Sequence, residues 1–400
     1  MKRFYIVIII ATLFIQQKAN GQGCVAVRQM GGVNTLCSSS NSYNLSKGDF
    51  QIGATYRYFH SWRHFVGREE QKHRQNTRGG LGTDGVDRGN AVNIYSHALD
   101  LNLNYGLTDR LQLYAAIPYV SNERSQVLRQ NAPVKDTFRY SVFARGLGDI
   151  RIGANYWLFD PVKAHNGNLN VGIGIKLPTG SHSEVDQAPQ SNGTYRYTMM
   201  DQAIQPGDGG LGFSLEMQGF TQVYRGIYAF ANGYYLFNPK ESNGTFKSEP
   251  TVVKDKDGNI LGTLTGYNVY ACPDQYFGRA GLMTSILKSR NLTLSLAGRV
   301  EGIPAYDALG GQEAYRRPGY VVAIESGVSY TTKQHSFSLF VPYNIVRNRI
   351  QSAADIARQD LQNSVITDKT QLTHVQGDAA FADYSISLSY SYRIPKNRKK

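Results

Sequence analysis

Charge is sparse in this 400-residue chain, 18% of all residues, and recurs singly inside stretches that otherwise alternate apolar with polar: Arg57, Asp100, Arg151, Lys176, Glu216, Arg279, Arg299 and Glu325. Each shares the parity of the polar residues in its stretch, so the whole set turns to one face of its strands. Two kinds of chemistry suit such a set. Lining a water-filled passage, it filters solutes by charge. Enclosed in a filled interior, its members must neutralise one another, because an isolated buried charge is costly. The sequence alone leaves both open.

Other chemistry finds less support. His97 follows Ser96 directly, but neighbours on a strand point to opposite faces, and a triad needs base and nucleophile within hydrogen-bond reach. His60, His64, His73, His165, His182, His335 and His374 are scattered and offer no metal-ligand spacing. Asp255-Lys256-Asp257-Gly258-Asn259 opens like a calcium loop but lacks the later bidentate Glu. Thr251-Val252-Val253 before it and Ile260-Leu261 after it instead predict a hairpin on an Asp-Gly turn. Gly79-Gly80-Leu81-Gly82 has no strand before it and no helix after it, so a phosphate cradle is unsupported. Neither a metal nor a cofactor is expected. Cys24 and Cys37 are close enough in sequence to pair in an oxidising compartment, which leaves Cys272 as the odd thiol.

The elements that carry the charged set are strands. Between Tyr95 and Tyr119, Leu99, Leu101 and Leu103 alternate with Asp100, Asn102 and Asn104. After a tight turn at 106–109, Leu111, Leu113, Ala115 and Ile117 alternate again. A period of two is the strand signature, and about ten residues suffice to cross hydrocarbon when tilted. The same pattern recurs near 50–58, 150–158, 169–177, 210–223, 226–238, 274–287, 291–302, 319–331, 335–347 and 381–393, about twelve strands in all. Short connections (106–109, 160–166, 224–225, 288–290, 332–334) alternate with long ones (61–93, 122–146, 179–209, 239–273, 303–318, 348–380). That rhythm predicts an all-β fold, an antiparallel transmembrane β-barrel with short periplasmic turns and long extracellular loops.

Composition agrees. The chain holds 41 glycines and 27 tyrosines, and no stretch is long and apolar enough for a transmembrane helix. Met1-Lys2-Arg3 followed by the apolar run Phe4–Ile15 and Ala19-Asn20-Gly21 reads as a signal peptide over 1–21. Residues 22–46, polar and small, read as a periplasmic lead-in or a plug. The barrel then spans 47–394, with a basic tail at 395–400. The formal charge of +13 would suit nucleic acid, but an exported chain meets anionic lipid instead. Outer-membrane lipids of a Gram-negative envelope are therefore the expected partners, with oligomeric state open.

Four phrases now stand in order: Tyr105-Gly106-Leu107-Thr108-Asp109-Arg110-Leu111, Gly146-Leu147-Gly148-Asp149-Ile150-Arg151, Lys176-Leu177-Pro178-Thr179-Gly180, and Pro206-Gly207-Asp208-Gly209-Gly210. Together they resemble the outer-membrane barrel family named for the MetA pathway of phenol degradation. The resemblance covers roughly 95–220, and the chain departs from it around Cys24–Cys37 and in its basic ending. It implies a transport-like barrel passing a small hydrophobic, aromatic or anionic solute. A closed barrel acting through its surface loops is the alternative, and a lipid hydrolase the third reading. Register sharpens the charge question. A three-residue turn at 288–290 sets Arg279 opposite Arg299, both inward, with Glu325 on the next strand as the expected counter-charge. Such a cluster would carry net positive charge and favour anions.

Overall fold

The computed structural model describes residues 44–77, 89–130, 136–255, 257–286 and 291–396. Twelve strands form the wall: β1 (Phe50–Val66), β2 (Asn93–Gly106), β3 (Leu111–Arg129), β4 (Arg151–Trp157), β5 (Gly167–Lys176), β6 (Gly212–Tyr224), β7 (Ile227–Phe237), β8 (Gln275–Ser285), β9 (Leu292–Ile303), β10 (Gly319–Thr331), β11 (His335–Arg349) and β12 (Ala379–Ile394). Each pairs antiparallel with the next, and β1 pairs with both β2 and β12, so the sheet closes on itself. Closure leaves no edge, and every ladder group is satisfied within the wall, as hydrocarbon requires.

Parity decides which face meets what. Leu99, Leu101 and Tyr105 on β2, Leu113 and Tyr119 on β3, Ile173 on β5 and Leu215 on β6 are exposed, while Asp100, Asn155, Asn170 and Glu216 are buried. Apolar surface outside and polar groups inside invert a water-soluble protein, and only a lipid surround stabilises that arrangement. Among the described residues no helix is long and apolar enough to cross a membrane. Short turns gather at one end of the barrel, with Phe50 and Ile394 paired beside them; long loops gather at the other.

Several long connections are more ordered than their polar composition predicts. The expected 122–146 loop is a continuation of the wall: β3 runs on to Arg129 and pairs with Thr137–Leu147, from Tyr119↔Leu147 to Arg129↔Thr137. Past the lipid Val127, Val142 and Ala144 are buried on the inner face, so apolar residues no longer mark the outer face alone, while backbone pairing persists. β1 likewise continues to Val66. The 348–380 connection contains helix α1 (Ala353–Asn363), begun by a capping box between Ser352 and Asp355. The Thr251–Lys254 and Ile260–Leu264 hairpin forms as its Asp-Gly turn predicts. The Asp255 carboxylate accepts from the backbone of Asp257 at 2.9 Å and Asn259 at 2.8 Å.

At the turn end the chain before β1 tucks inward. Leu45 is 1% exposed, and Gln112 Nε2 donates to Asn44 Oδ1 at 3.0 Å. Asp49 ties this segment to β12, taking Arg393 in an ion pair and the backbone N–H of Lys396 at 3.0 Å. Cys24 and Cys37 lie outside the described residues, as do the signal segment and the 288–290 turn. Cys272 is a buried free thiol whose Sγ lies 3.1 Å from the Asp208 carbonyl.

Candidate functional site

The interior of the barrel is built in three tiers. At the loop end, Ile94, Val92, Val142, Ala144, Phe65, Ala379, Ala380 and Phe381 from the wall pack against Met200, Ala203 and Ile204 of the 177–211 loop. Asn122 Nδ2 donates to the Ile204 carbonyl at 2.8 Å, and Arg317 grips the Asp201 carboxylate through two contacts of 2.7 Å. Burial pushes the Asp201 carboxyl up, but the Arg317 guanidinium overrides it and the net displacement is downward. This tier is an apolar roof.

Below it lies a belt of charge. Arg57, Asp100, Arg151, Lys176, Glu216, Arg279, Arg299 and Glu325 all lie inside the wall, each 9% exposed or less. The fold sorts them into four separate groups rather than one cluster. Arg57 meets Asp100 at 3.0 Å. Arg151 Nη2 lies 3.4 Å from Glu216 Oε1, which also accepts from Tyr114 Oη and, at 2.9 Å, from Ser214 Oγ. Lys176 joins Asp149, at 3.5 Å, and Asp208. Arg279 and Arg299, opposed in register, share Glu325, which bonds Arg279 through one oxygen and Arg299 Nη1 through the other at 2.7 Å. Ring faces complete the cations' surroundings: Phe340 lies 4.9 Å from Arg279, Phe277 4.9 Å from Arg299 and Tyr234 4.8 Å from Arg151.

The expected net positive cluster is corrected by a residue the register argument passed over. Glu301 accepts from Arg299 Nη2 at 2.7 Å, so the two arginines face two carboxylates. Glu301 sits two positions after Arg299 and shares its parity, so the signal was present. Across the belt, five cations face six carboxylates among the described residues. The excess of positive charge from which an anion preference was expected is therefore absent from the belt.

The glycine-rich phrases converge here as well. The Asp149 carboxylate accepts the backbone N–H of Gly180 at 3.0 Å and of Asp208 at 3.1 Å. Thr179 Oγ1 donates to the Gly148 carbonyl at 2.9 Å. A Cβ on Gly180 would stand 2.8 Å from Gly207 Cα, and one on Gly207 only 2.5 Å from the Gly180 carbonyl. Glycine at both positions lets three backbone segments touch, which brings Asp149 and Asp208 to Lys176. Asp149 and Asp208 escaped sequence reasoning because their partner lies in a separate segment.

Toward the turn end the interior becomes aromatic and apolar. Tyr228, Phe230, Met283, Ala297 and Phe340 are buried together with Phe220 against them, and Trp157 stands edge-on to Phe220 at 6.3 Å. His97 belongs to none of these tiers. It is exposed on the outer face, where its Nδ1 lies 2.8 Å from Tyr56 Oη, while Ser96 Oγ donates inside the barrel to Asn122 at 2.7 Å. No group of His, Cys, Asp and Glu among the described residues has the arrangement of a metal site.

The sequence matches no protein-family model and no curated protein. Solved structures with a similar course of chain include an outer membrane channel from Pseudomonas putida F1, 12% identical, covering 89% of this chain and 99% of that one at a TM-score of 0.48. A FadL homologue from Pseudomonas aeruginosa is 9% identical, with coverages of 94% and 98% and a TM-score of 0.40. The toluene transporter TbuX of Ralstonia pickettii is 12% identical, with coverages of 92% and 99% and a TM-score of 0.41. Likenesses this loose assign no substrate.

Proposed function

We propose that this protein is an outer-membrane barrel of a Gram-negative envelope through which a small, neutral, largely apolar solute passes passively. One observation carries the reading: the belt's charges are bonded to one another between two apolar tiers, so the interior offers hydrophobic surface and little net charge. Ions gain nothing from such a lining, whereas an apolar solute is stabilised by leaving water. The exposed apolar outer face suits contact with outer-membrane lipid, and export through a signal segment at 1–21 fits the same location. The order of the glycine phrases supports kinship with the family named for the MetA pathway of phenol degradation. The paired charges of Arg57, Asp100, Arg151, Lys176, Glu216, Arg279, Arg299 and Glu325 then act as neutral struts across the solute's path.

A second reading draws support from the same packing: side chains occupy all three tiers, as in a closed barrel that works through its loops. Uptake separates the two. Cells with an intact lipopolysaccharide outer membrane, with and without the protein, are given radiolabelled ethylbenzene or benzoate and initial rates are compared. Faster ethylbenzene entry with unchanged benzoate entry is expected. Equal ethylbenzene rates would discard passage and leave the loop-acting barrel.

A further inference from the structure

One row of inward-facing residues crosses six strands in register. Trp157 opposes Asn170, Asn170 opposes Gln218, Gln218 opposes Asn232, Asn232 opposes Arg279, and Arg279 opposes Arg299. Barrel strands are tilted, so a row perpendicular to them runs obliquely. Its lower end is fixed by Trp157, whose backbone N–H bonds the Arg110 carbonyl at 3.0 Å beside the 107–110 turn. Its upper end reaches the charged belt.

Polar atoms without a partner occur at both ends of the row, Arg279 Nη2 among them, but most of them gather at the lower end. At the upper end Arg279 Nε donates to Asn232 Oδ1 at 2.7 Å, and the arginines hold Glu325 and Glu301. At the lower end Trp157 Nε1, both polar side-chain atoms of Asn170, and Gln218 Oε1 are buried without a hydrogen-bond partner on the described protein. Trp157 is 3% and Asn170 1% exposed, so neither reaches bulk solvent. Native proteins leave few such groups, and each calls for a reason. Here donors and acceptors from three adjacent strands stand side by side with no partner on the protein.

Their chemistry defines what would satisfy them. The indole N–H donates, the Asn170 amide donates and accepts, and the Gln218 carbonyl accepts. None is charged. Glu216, the next inward residue toward the loop end from Gln218, is engaged with Tyr114, Ser214 and Arg151. Phe220 lies edge-on to Trp157 at 6.3 Å and 6.2 Å from Tyr228, so an aromatic wall borders the polar groups. We propose that Trp157, Asn170 and Gln218 form a binding subsite for a neutral hydroxyl or carbonyl group carried on a small aromatic or apolar body. The apolar body rests on the passage reading above; the neutral polar head is new to it.

The chain contains two tryptophans, so Trp62→Phe leaves Trp157 as the single indole reporter. The purified full-length variant in detergent is titrated with benzyl alcohol, ethylbenzene and benzoate, which are matched in size but differ in their polar group. Benzyl alcohol is expected to change Trp157 emission saturably and to bind more tightly than either of the others. Asn170→Leu, or Gln218→Met where the first variant does not fold, should weaken benzyl alcohol about five-fold, the value of one net hydrogen bond, and leave ethylbenzene unchanged. Equal affinities for benzyl alcohol and ethylbenzene, indifference to both substitutions, or no saturable response to any probe would each overturn the subsite. Binding is read without transport. Binding with no uptake would therefore sink passage alone, and uptake with no binding would sink the subsite alone.

Discussion

Glu325→Gln tests the charged belt where one carboxylate serves two arginines. Glu325 is 2% exposed and bonds two arginines that stand directly opposed on neighbouring strands. Like charges so placed repel unless compensated. Without the carboxylate, Arg299 keeps Glu301 at 2.7 Å, but Arg279 keeps no anion, just Asn232 Oδ1 at 2.7 Å and the faces of Phe340 at 4.9 Å and Phe230 at 5.8 Å. A buried charge stripped of its partner costs about 3–5 kcal/mol. The double variant Arg279→Gln, Glu325→Gln removes the stranded cation as well and leaves Arg299–Glu301 intact. It should recover about 2 kcal/mol or more of that loss, a coupling within the range for residues of one network. Guanidinium unfolding of barrels in lipid vesicles, followed by tryptophan emission, gives all corners of the cycle. A single-variant loss below about 1 kcal/mol, or simple additivity in the double variant, would refute the claim that this network is dry and tightly coupled.

Three further outcomes follow from the same structure. Gly207→Val places a side chain 2.5 Å from the Gly180 carbonyl; overpacking of about 1–3 kcal/mol should open the 177–211 loop to protease while the wall stays intact. Asp307 ion-pairs with Arg316 at 2.6 Å, and burial pushes its carboxyl up to about 6. A raised carboxyl pKa favours the folded state at low pH, so thermal stability should fall as pH rises from about 4 to about 6, and Asp307→Asn should flatten that slope. An epitope placed at 255–259 should be labelled on intact cells and one after Lys400 should not; surface labelling of the latter would invert the orientation.

The wall was largely legible because lipid outside and polar groups inside impose one strict alternation. Leu99, Leu101 and Leu103 against Asp100, Asn102 and Asn104 already separate the two faces. Register was legible where a turn was short, and Arg279 does stand opposite Arg299. Legibility ended where the lipid ended: Tyr119 to Arg129 continues as strand without clear alternation, and α1 is announced only by Ser352 and Asp355. Inside the barrel, parity names the residues that point inward but not their partners. Lys176 finds Asp208 through loop folding, which leaves no local pattern, and Glu301 cancels the net charge expected of the arginine cluster although its parity was plain. Trp157 sat inward between the outward Tyr156 and Leu158, with nothing in the alternation to mark its indole as unpartnered.

Ion conductance tests most directly whether paired charges and apolar tiers close the lumen to ions while leaving a route for neutral solutes. The purified protein is inserted into an asymmetric bilayer with lipopolysaccharide on one side, and current is recorded across a potassium chloride gradient. No steady ohmic current above the bare bilayer, and therefore no defined reversal potential, is expected. A stable open-channel current selective for either ion would mean a continuous aqueous pore, and would contradict a lumen closed to ions.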